Sequence, residues 1–446
     1  MIQSEETQTT NLHECVVSGS QGIYKLTWPQ LNITCHCDRI KESNDHEVKA
    51  EVRLTSSRPT SAGHLRAGRL NLTSTTARNS FAKSLAARDS DVDWDLILEQ
   101  VCVAVLQEWR SGNAVVQLEG NMDAPGLADK WLVSGIIQLN NPTLIYGPGS
   151  TGKSWFAQYI AVLADEGMNH GGFDVEPSTV LYLDWETDQI ELGSRVTMIR
   201  RGLGLKGTAH ILYKAMTQGL STDIERIREI CLEHSVGLII IDSLGSACMG
   251  EPESAEVVLR MFSALRSLGV SSLSIDHTNK HNGELFGSVY KFNSSRQVFE
   301  TKKSQIEDQD KLVLGLFHKK ANNSRLIKPM GFELLFNEEM QSMSVIRKDV
   351  KDTPLEDQLG VRQRIGNVLS AFGKMTVSEI VDELNPKPDG SLFTENHISK
   401  ELSTGKRKNI FVQLPDNKWG LPANNFESVN YEAVKQQYNH ELRGEV

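Results

Sequence analysis

Gly147-Pro148-Gly149-Ser150-Thr151-Gly152-Lys153-Ser154 is the stretch that decides how this chain is read. It satisfies G-x-x-x-x-G-K-[ST] at every fixed position. Leu144-Ile145-Tyr146 before it reads as the end of a buried strand, and Trp155-Phe156-Ala157-Gln158-Tyr159-Ile160-Ala161 after it as a helix. Strand, glycine loop and helix together are the context in which the pattern means a phosphate site. The glycines let backbone N–H groups curl around phosphates, and the helix N-terminus adds the positive end of its dipole. Lys153 is then expected to reach the β- and γ-phosphates, and Ser154 to place its hydroxyl on Mg²⁺. The expected ligands are ATP and Mg²⁺.

Working outward, residues 131 to 346 alternate short apolar runs with helical segments. Val180-Leu181-Tyr182-Leu183, Ile211-Leu212-Tyr213, Leu238-Ile239-Ile240-Ile241 and Leu273-Ser274-Ile275 are near-continuous apolar strands. Strands buried on both faces look like this, which predicts an α/β layer with a mainly parallel sheet. Lys311 to Phe317 and Gly331 to Phe336 predict an antiparallel continuation.

On the N-terminal side, residues 1–90 read as a small β-rich domain with a loosely ordered start. Ile23 to Trp28, Leu31 to Cys35 and Val48 to Leu54 alternate apolar and polar positions. Residues 91–130 read as a connecting helix and linker. Trp94, Ile97, Leu98, Val101, Val105, Leu106 and Trp109 recur at helical spacing, with Asp91 or Asp93 as cap and Ser111-Gly112 as stop. On the C-terminal side, Arg347 to Asp352 followed by Thr353-Pro354 is a linker candidate. Residues 355–425 predict a winged helix: helices over 362–372, 376–384 and 394–403, then a hairpin from Ile410 to Leu421. Thr376 and Glu379 form a capping box. Residues 426–446 are a tail.

Bulk properties narrow the class. A chain of 446 residues is long for one domain. No apolar run approaches the roughly 20 residues needed to span a bilayer, and the polar, acidic start is not a signal peptide. A cytoplasmic location without membrane contact is expected. Six cysteines do not make a disulfide scaffold in a chain this size. Cys35-His36-Cys37, with His13 and Cys15, has C-x-C rather than the usual zinc spacing, so reduced packing cysteines are expected. The net charge of −10 excludes a protein coated in basic charge. From Val52 to Arg88, however, Arg53, Arg58, Arg66, Arg69, Arg78, Lys83 and Arg88 occur without a single Asp or Glu. Such a stretch can contact nucleic acid or balance acidic neighbours.

Phosphate cleavage requires more than a cradle. Leu238-Ile239-Ile240-Ile241-Asp242-Ser243 leaves Asp242 at the carboxyl end of a buried strand, where ligands bind in open α/β sheets. Asp242 is the second Mg²⁺ anchor beside Ser154. The strand after the glycine-loop helix ends in Asp184-Trp185-Glu186-Thr187-Asp188, three acids that compete as the water-activating base. Ser274-Ile275-Asp276-His277-Thr278 ends another strand, and His277 is the residue chosen to touch the γ-phosphate. The glycine-containing segment after it, His281 to Ser288, is a candidate for lining a channel. Lys320 or Lys319, in Phe317-His318-Lys319-Lys320-Ala321-Asn322-Asn323, and Arg296 are candidates to act on a neighbouring subunit's γ-phosphate.

The order of these motifs resembles the RecA-like P-loop ATPases. Within them it resembles the plasmid RepA-type hexameric helicase group of the AAA ATPase domain family. Gly147 to Ser154, Leu183 to Glu186, Ile239 to Ser243, Asp276-His277-Thr278 and Lys320 to Asn323 carry the resemblance, which covers roughly residues 131 to 340. It implies a RecA-like core, Glu186 as the base, and a ring-forming homo-oligomer, hexamer favoured, with sites between subunits and action on DNA. Both ends depart from the group. The winged helix can engage DNA through Asn396 to Lys400 and Lys406-Arg407-Lys408, or a protein partner through a face that also holds Glu395 and Glu401. The sequence therefore predicts a Mg²⁺-dependent ATPase coupled to DNA, a helicase or a replication or repair motor. The alternative is a nucleotide-dependent switch that recruits a protein.

Overall fold

A computed structural model describes residues 15–20, 22–58, 63–112, 117, 130–251, 253–279, 283–305, 310–385 and 393–422. The channel-lining candidate lies partly, and the tail wholly, outside them.

The N-terminal part is a five-stranded antiparallel sheet in sequence order: β1 (Val16–Ser20), β2 (Ile23–Trp28), β3 (Ile33–Glu42), β4 (Val48–Ser56) and β5 (His64–Asn71). Two helices follow, α1 (Thr75–Ala86) and α2 (Trp94–Ser111). The alternation seen in the sequence is the burial pattern of the strands. Leu26, Trp28, Cys35, Cys37, Ala50, Val52 and Leu54 are buried, and their neighbours face outward. The predicted stripe of α2 buries Trp94, Ile97, Leu98, Val101 and Val105 in that same core, and the Asp93 side chain accepts the Leu96 N–H. The helix expected to connect two domains is thus part of the first one. Burying an amphipathic stripe on a one-sided sheet removes its apolar area from water, at about 1.5–3 kcal/mol per large side chain.

After a short hairpin, β6 (Trp131–Val133) and β7 (Ile137–Gln138), the core begins. It runs β8 (Pro142–Gly147), α3 (Lys153–Glu166), β9 (Thr179–Asp184), α4 (Gln189–Gly202), β10 (Leu212–Ala215), α5 (Leu220–Glu233) and β11 (Val236–Asp242). Then follow α6 (Leu244–Cys248), α7 (Ala255–Ser267), β12 (Ser271–His277), α8 (Tyr290–Ser294), β13 (Gln297–Ser304), β14 (Lys311–Ala321), β15 (Met330–Asn337) and β16 (Ser342–Asp349). One nine-stranded sheet results, in the order β10-β9-β11-β12-β8-β13-β14-β15-β16. The first six strands are parallel neighbours and the last three antiparallel. This is the RecA-like α/β arrangement, with the glycine-loop strand β8 and the Asp242 strand β11 separated by β12. The parallel strands are apolar on both faces because each face is covered. One core contains α3 and α4, the other α5, α6 and α7.

Two strands of this sheet escaped the sequence reading. β13 pairs parallel to β8, and β16 closes the far edge under α4. The charged stretch from Arg347 to Asp352, expected to be a linker, is the end of β16 and a 3₁₀ turn. Val350 there is buried with Val313, Phe317, Leu355 and Leu359, so the stretch is packed and not a free connection. One apolar residue among five charged ones carries too little pattern to reveal this.

Beyond it lie α9 (Val361–Phe372), α10 (Val377–Leu384), α11 (Glu395–Arg407) and a two-strand hairpin, β17 (Val412–Gln413) with β18 (Trp419–Gly420). Their core joins Ile365, Leu369, Ile380, Leu384, Ile398, Leu402, Phe411 and Trp419. The capping box of Thr376 and Glu379 is formed. Among the described residues no helix is long and apolar enough to cross a membrane.

Candidate functional site

The glycine loop turns from β8 into α3 with Gly152 at φ +84° and Ser150 at φ +57°. A side chain at Gly147 is excluded, because a Cβ there would lie 2.0 Å from the Thr301 Oγ1. Thr301 in turn donates to the Tyr146 carbonyl (3.2 Å) and lies 3.1 Å from the Thr151 hydroxyl. The loop is therefore pinned from β13, which motif reading does not reveal.

Lys153 opens α3 and is buried. Its ammonium donates to the carbonyls of Gly147 (3.0 Å) and Pro148 (2.7 Å) and, at 3.4 Å, to the Thr151 hydroxyl. Burial pulls it down to about 8, against the fields of Asp242, Glu186 and Asp276. Among the described residues it has no carboxylate within ion-pair distance.

Asp242 ends β11 beside it. Tyr182 donates to its Oδ2 at 2.8 Å, and the Ser154 hydroxyl hydrogen-bonds the same carboxyl. Burial pushes this carboxyl up, opposed by those two donors. The two residues expected at a metal thus share a hydrogen bond. A hydroxyl and a carboxylate are hard oxygen donors of the type Mg²⁺ takes, so the donor set fits the ion.

The three acids after β9 separate by role. Asp184 Oδ1 accepts the N–H groups of Glu186 (2.9 Å) and Thr187 (3.0 Å), shaping the turn. Asp188 caps α4 by accepting from Ile190 and Glu191. Glu186 is the acid that lines the cavity. Its Oε1 lies 3.6 Å from His277 Nε2. The His277 ring holds the Glu186 carboxyl below the ordinary range, helped by the Ser243 hydroxyl and Lys153 against the effect of burial. Lys153, Ser154, Glu186, Asp242 and His277 all line one cavity of about 380 Å³.

Trp155, Arg195 and Phe336 line the same cavity. Trp155 meets Phe336 edge to face (5.1 Å), and the Arg195 guanidinium lies over Trp155 (5.2 Å). Such a wall accepts a planar ring by stacking. The sequence reading missed it, since three elements far apart in the chain build it.

The other predicted residues lie away from this cavity. Lys320 Nζ donates to the carbonyls of Phe292 (2.9 Å), Asn293 (2.8 Å) and Ser295 (2.8 Å), closing the C-terminal end of α8. Burial lowers its pKa, with the charge of Arg296 adding to the effect. Lys319 pairs with Glu300 at 2.7 Å. Arg296 is exposed, and among the described residues it makes no ion pair.

In the N-terminal domain five cations of the basic stretch are engaged with groups of that same domain. Arg53 pairs with Asp38, Arg58 with Asp89 and Arg78 with Glu99. Arg66 lies 3.9 Å over the Phe81 ring, and Arg88 donates to the Leu65 carbonyl. Cys35 and Cys37 are buried with their sulfurs 3.7 Å apart, and all six cysteines are free. The Cys37 hydrogen bond and burial push the Cys35 thiol well up. Among the described residues no three His, Cys, Asp or Glu side chains could hold a metal ion together. His13 lies outside them.

In α11, Asn396, Lys400 and Lys406-Arg407-Lys408 are exposed, while Glu401 ion-pairs with Arg362 of α9 at 2.7 Å.

Residues 113–283 match the family model described as "AAA domain". That span holds the glycine loop, Glu186, Asp242 and His277. No curated protein matches the chain. Among solved structures the chain is similar to the KaiC-like protein PH0186 from the hyperthermophilic archaeon Pyrococcus horikoshii OT3. Identity there is 16%, coverage 50% of this chain and 97% of that one, and the TM-score 0.34, a likeness from which nothing about activity is drawn. The fold fits a RecA-like core that carries a P-loop motif, and over residues 113–283 the chain is similar to AAA domains.

Proposed function

We propose that this protein is a Mg²⁺-dependent ATPase that works as an oligomer, a hexamer in the preferred reading, and couples turnover to DNA. The observation that carries the reading is the convergence of Lys153, Glu186, Asp242 and His277 on one cavity. Backbone N–H groups of residues 149–154 and the Lys153 ammonium bind the phosphates. Ser154 and Asp242 would hold Mg²⁺, which when bound would supply charge neutralisation at the phosphate oxygens. Glu186, kept ionised by His277, takes a proton from the attacking water. The new P–O bond forms as the bond to the β-phosphate oxygen breaks, and His277 hydrogen-bonds the departing phosphate. The wall of Trp155, Arg195 and Phe336 holds the base. Of the three basic residues considered for action on a neighbour's phosphate, Arg296 is favoured. Its side chain is exposed, whereas Lys319 and Lys320 are engaged within their own subunit.

In this reading α9 to α11 and the hairpin are a winged helix. Its DNA face is Asn396, Lys400 and the basic end of α11, which Glu401 does not oppose because it turns to Arg362. The protein resides in the cytoplasm. A second reading, a nucleotide-dependent switch recruiting a protein, is favoured by one observation: Arg53, Arg58 and Arg78 of the N-terminal basic stretch are paired with carboxylates of their own domain.

ATP turnover with and without single-stranded DNA separates the two, with Lys153→Ala and Glu186→Gln as controls. The motor reading predicts at least tenfold stimulation, lost in both variants. Turnover indifferent to DNA favours the switch.

A further inference from the structure

Lys291 and Asp276 form an ion pair away from the cavity, and the mechanism above does not use it. The Lys291 Nζ lies 2.7 Å from Asp276 Oδ2, with 0% and 2% of the two side chains exposed. Two charges are withdrawn from water together only at a desolvation cost, and stability alone is a weak reason to keep such a pair. What Asp276 touches suggests another reason. Its second oxygen accepts the backbone N–H of His277 at 2.9 Å. His277 is thus held at its backbone by a carboxylate that Lys291 holds, and its ring faces Glu186. The next residue, Thr278, donates its N–H to the Gly147 carbonyl of the phosphate loop at 3.3 Å.

Lys291 sits on α8, which is fixed at its far end by Lys320 and by the Ser295 hydroxyl on the Lys291 carbonyl. Just before α8 and at its first residue the chain exposes Phe286, Val289 and Tyr290. Phe286 also returns to the site, its N–H donating to the His277 carbonyl at 3.0 Å.

We propose that Lys291 is a positioning residue that, through Asp276, fixes His277 against Glu186 at the phosphate end of the site. This rests on the reading of that site as an ATPase.

The test compares the full-length protein with two double variants. Asp276→Asn with Lys291→Gln keeps an acceptor for the His277 N–H and a neutral hydrogen bond in place of the charges. Asp276→Leu with Lys291→Leu fills the volume and removes the acceptor. Thermal melting, nucleotide affinity and turnover are measured on each. The leucine pair is expected to bind ATP within threefold of wild type and to lose at least tenfold in kcat, and the amide pair to recover at least a third of wild-type kcat. A leucine pair that turns over like wild type, or that loses affinity as much as kcat, overturns the proposal. Should the leucine pair not fold, Asp276→Glu decides, since it keeps the ion pair but moves the carboxylate by one methylene. At least threefold lower kcat with intact affinity supports the proposal, and unchanged kcat overturns it. A wild-type protein that binds ATP without hydrolysing it would instead overturn the reading of the site.

Discussion

The N-terminal sheet and the phosphate loop treat positive charge in opposite ways. Arg53, Arg58 and Arg78 each face a carboxylate, and Arg66 a ring. Their charge is spent inside the domain. Lys153 is more buried than any of them, yet among the described residues it meets only two carbonyls and a hydroxyl, and burial pulls it down to about 8. A buried cation without a counter-charge is a cost that folding alone does not explain. An anionic ligand does explain it. What marks a cation as functional is the missing partner, not the density of basic residues along the chain.

The contrast can be broken at several points. Glu186→Gln keeps size and removes the proton acceptor. It should lower ATP turnover about a thousandfold while leaving nucleotide affinity within threefold, a loss in the range for general bases, read by steady-state kinetics and equilibrium binding. Arg58→Ala removes a structural cation. Its Nε donates to the Leu31 carbonyl at 2.9 Å and its Nη1 lies 3.6 Å from Asp89. The loss should be about 2 kcal/mol in chemical denaturation, with ATP affinity untouched.

pH supplies a third test. With its pKa lowered to about 8, Lys153 in the free protein is charged below that value and neutral above it. ATP affinity should therefore be flat from pH 6.5 to 7.5 and fall about tenfold between pH 7 and 9, one unit per pH unit beyond 8. For stability the sign is opposite. The folded value lies below the ordinary one, so the folded state gains on the unfolded as pH rises from about 8 towards 10.5. The smallest effect is expected of Arg69→Ala. Arg69 is exposed on β5, and its loss should change stability by less than about 0.5 kcal/mol.

Much of the site was legible because its signals are local. The glycine loop, Asp242 at the end of four apolar residues and the acids after β9 each lie within one strand–turn unit. The family resemblance already put Glu186 first among the acids, and the structure adds that Asp184 and Asp188 are engaged in turn and cap. What was not legible depends on partners distant in sequence. Thr301 braces Thr151 across 150 residues, Tyr182 reaches Asp242 across 60, and Phe336 meets Trp155 from β15, far along the chain. Lys291 did leave a trace. Asp276 follows Ser274-Ile275 on a strand buried on both faces, and a buried carboxylate demands a cation, though nothing local says which one. The packed turn at Val350 was hidden for the opposite reason, its one apolar side chain lying among charges.

The most direct measurement is the ATP affinity and melting temperature of Lys153→Met. The account predicts at least a hundredfold weaker binding with a melting temperature equal to or above that of wild type, because the substitution removes a buried cation that has no carboxylate partner among the described residues. Unchanged affinity, or a melting temperature several degrees lower, would contradict it and make Lys153 a structural residue like the arginines of the N-terminal sheet.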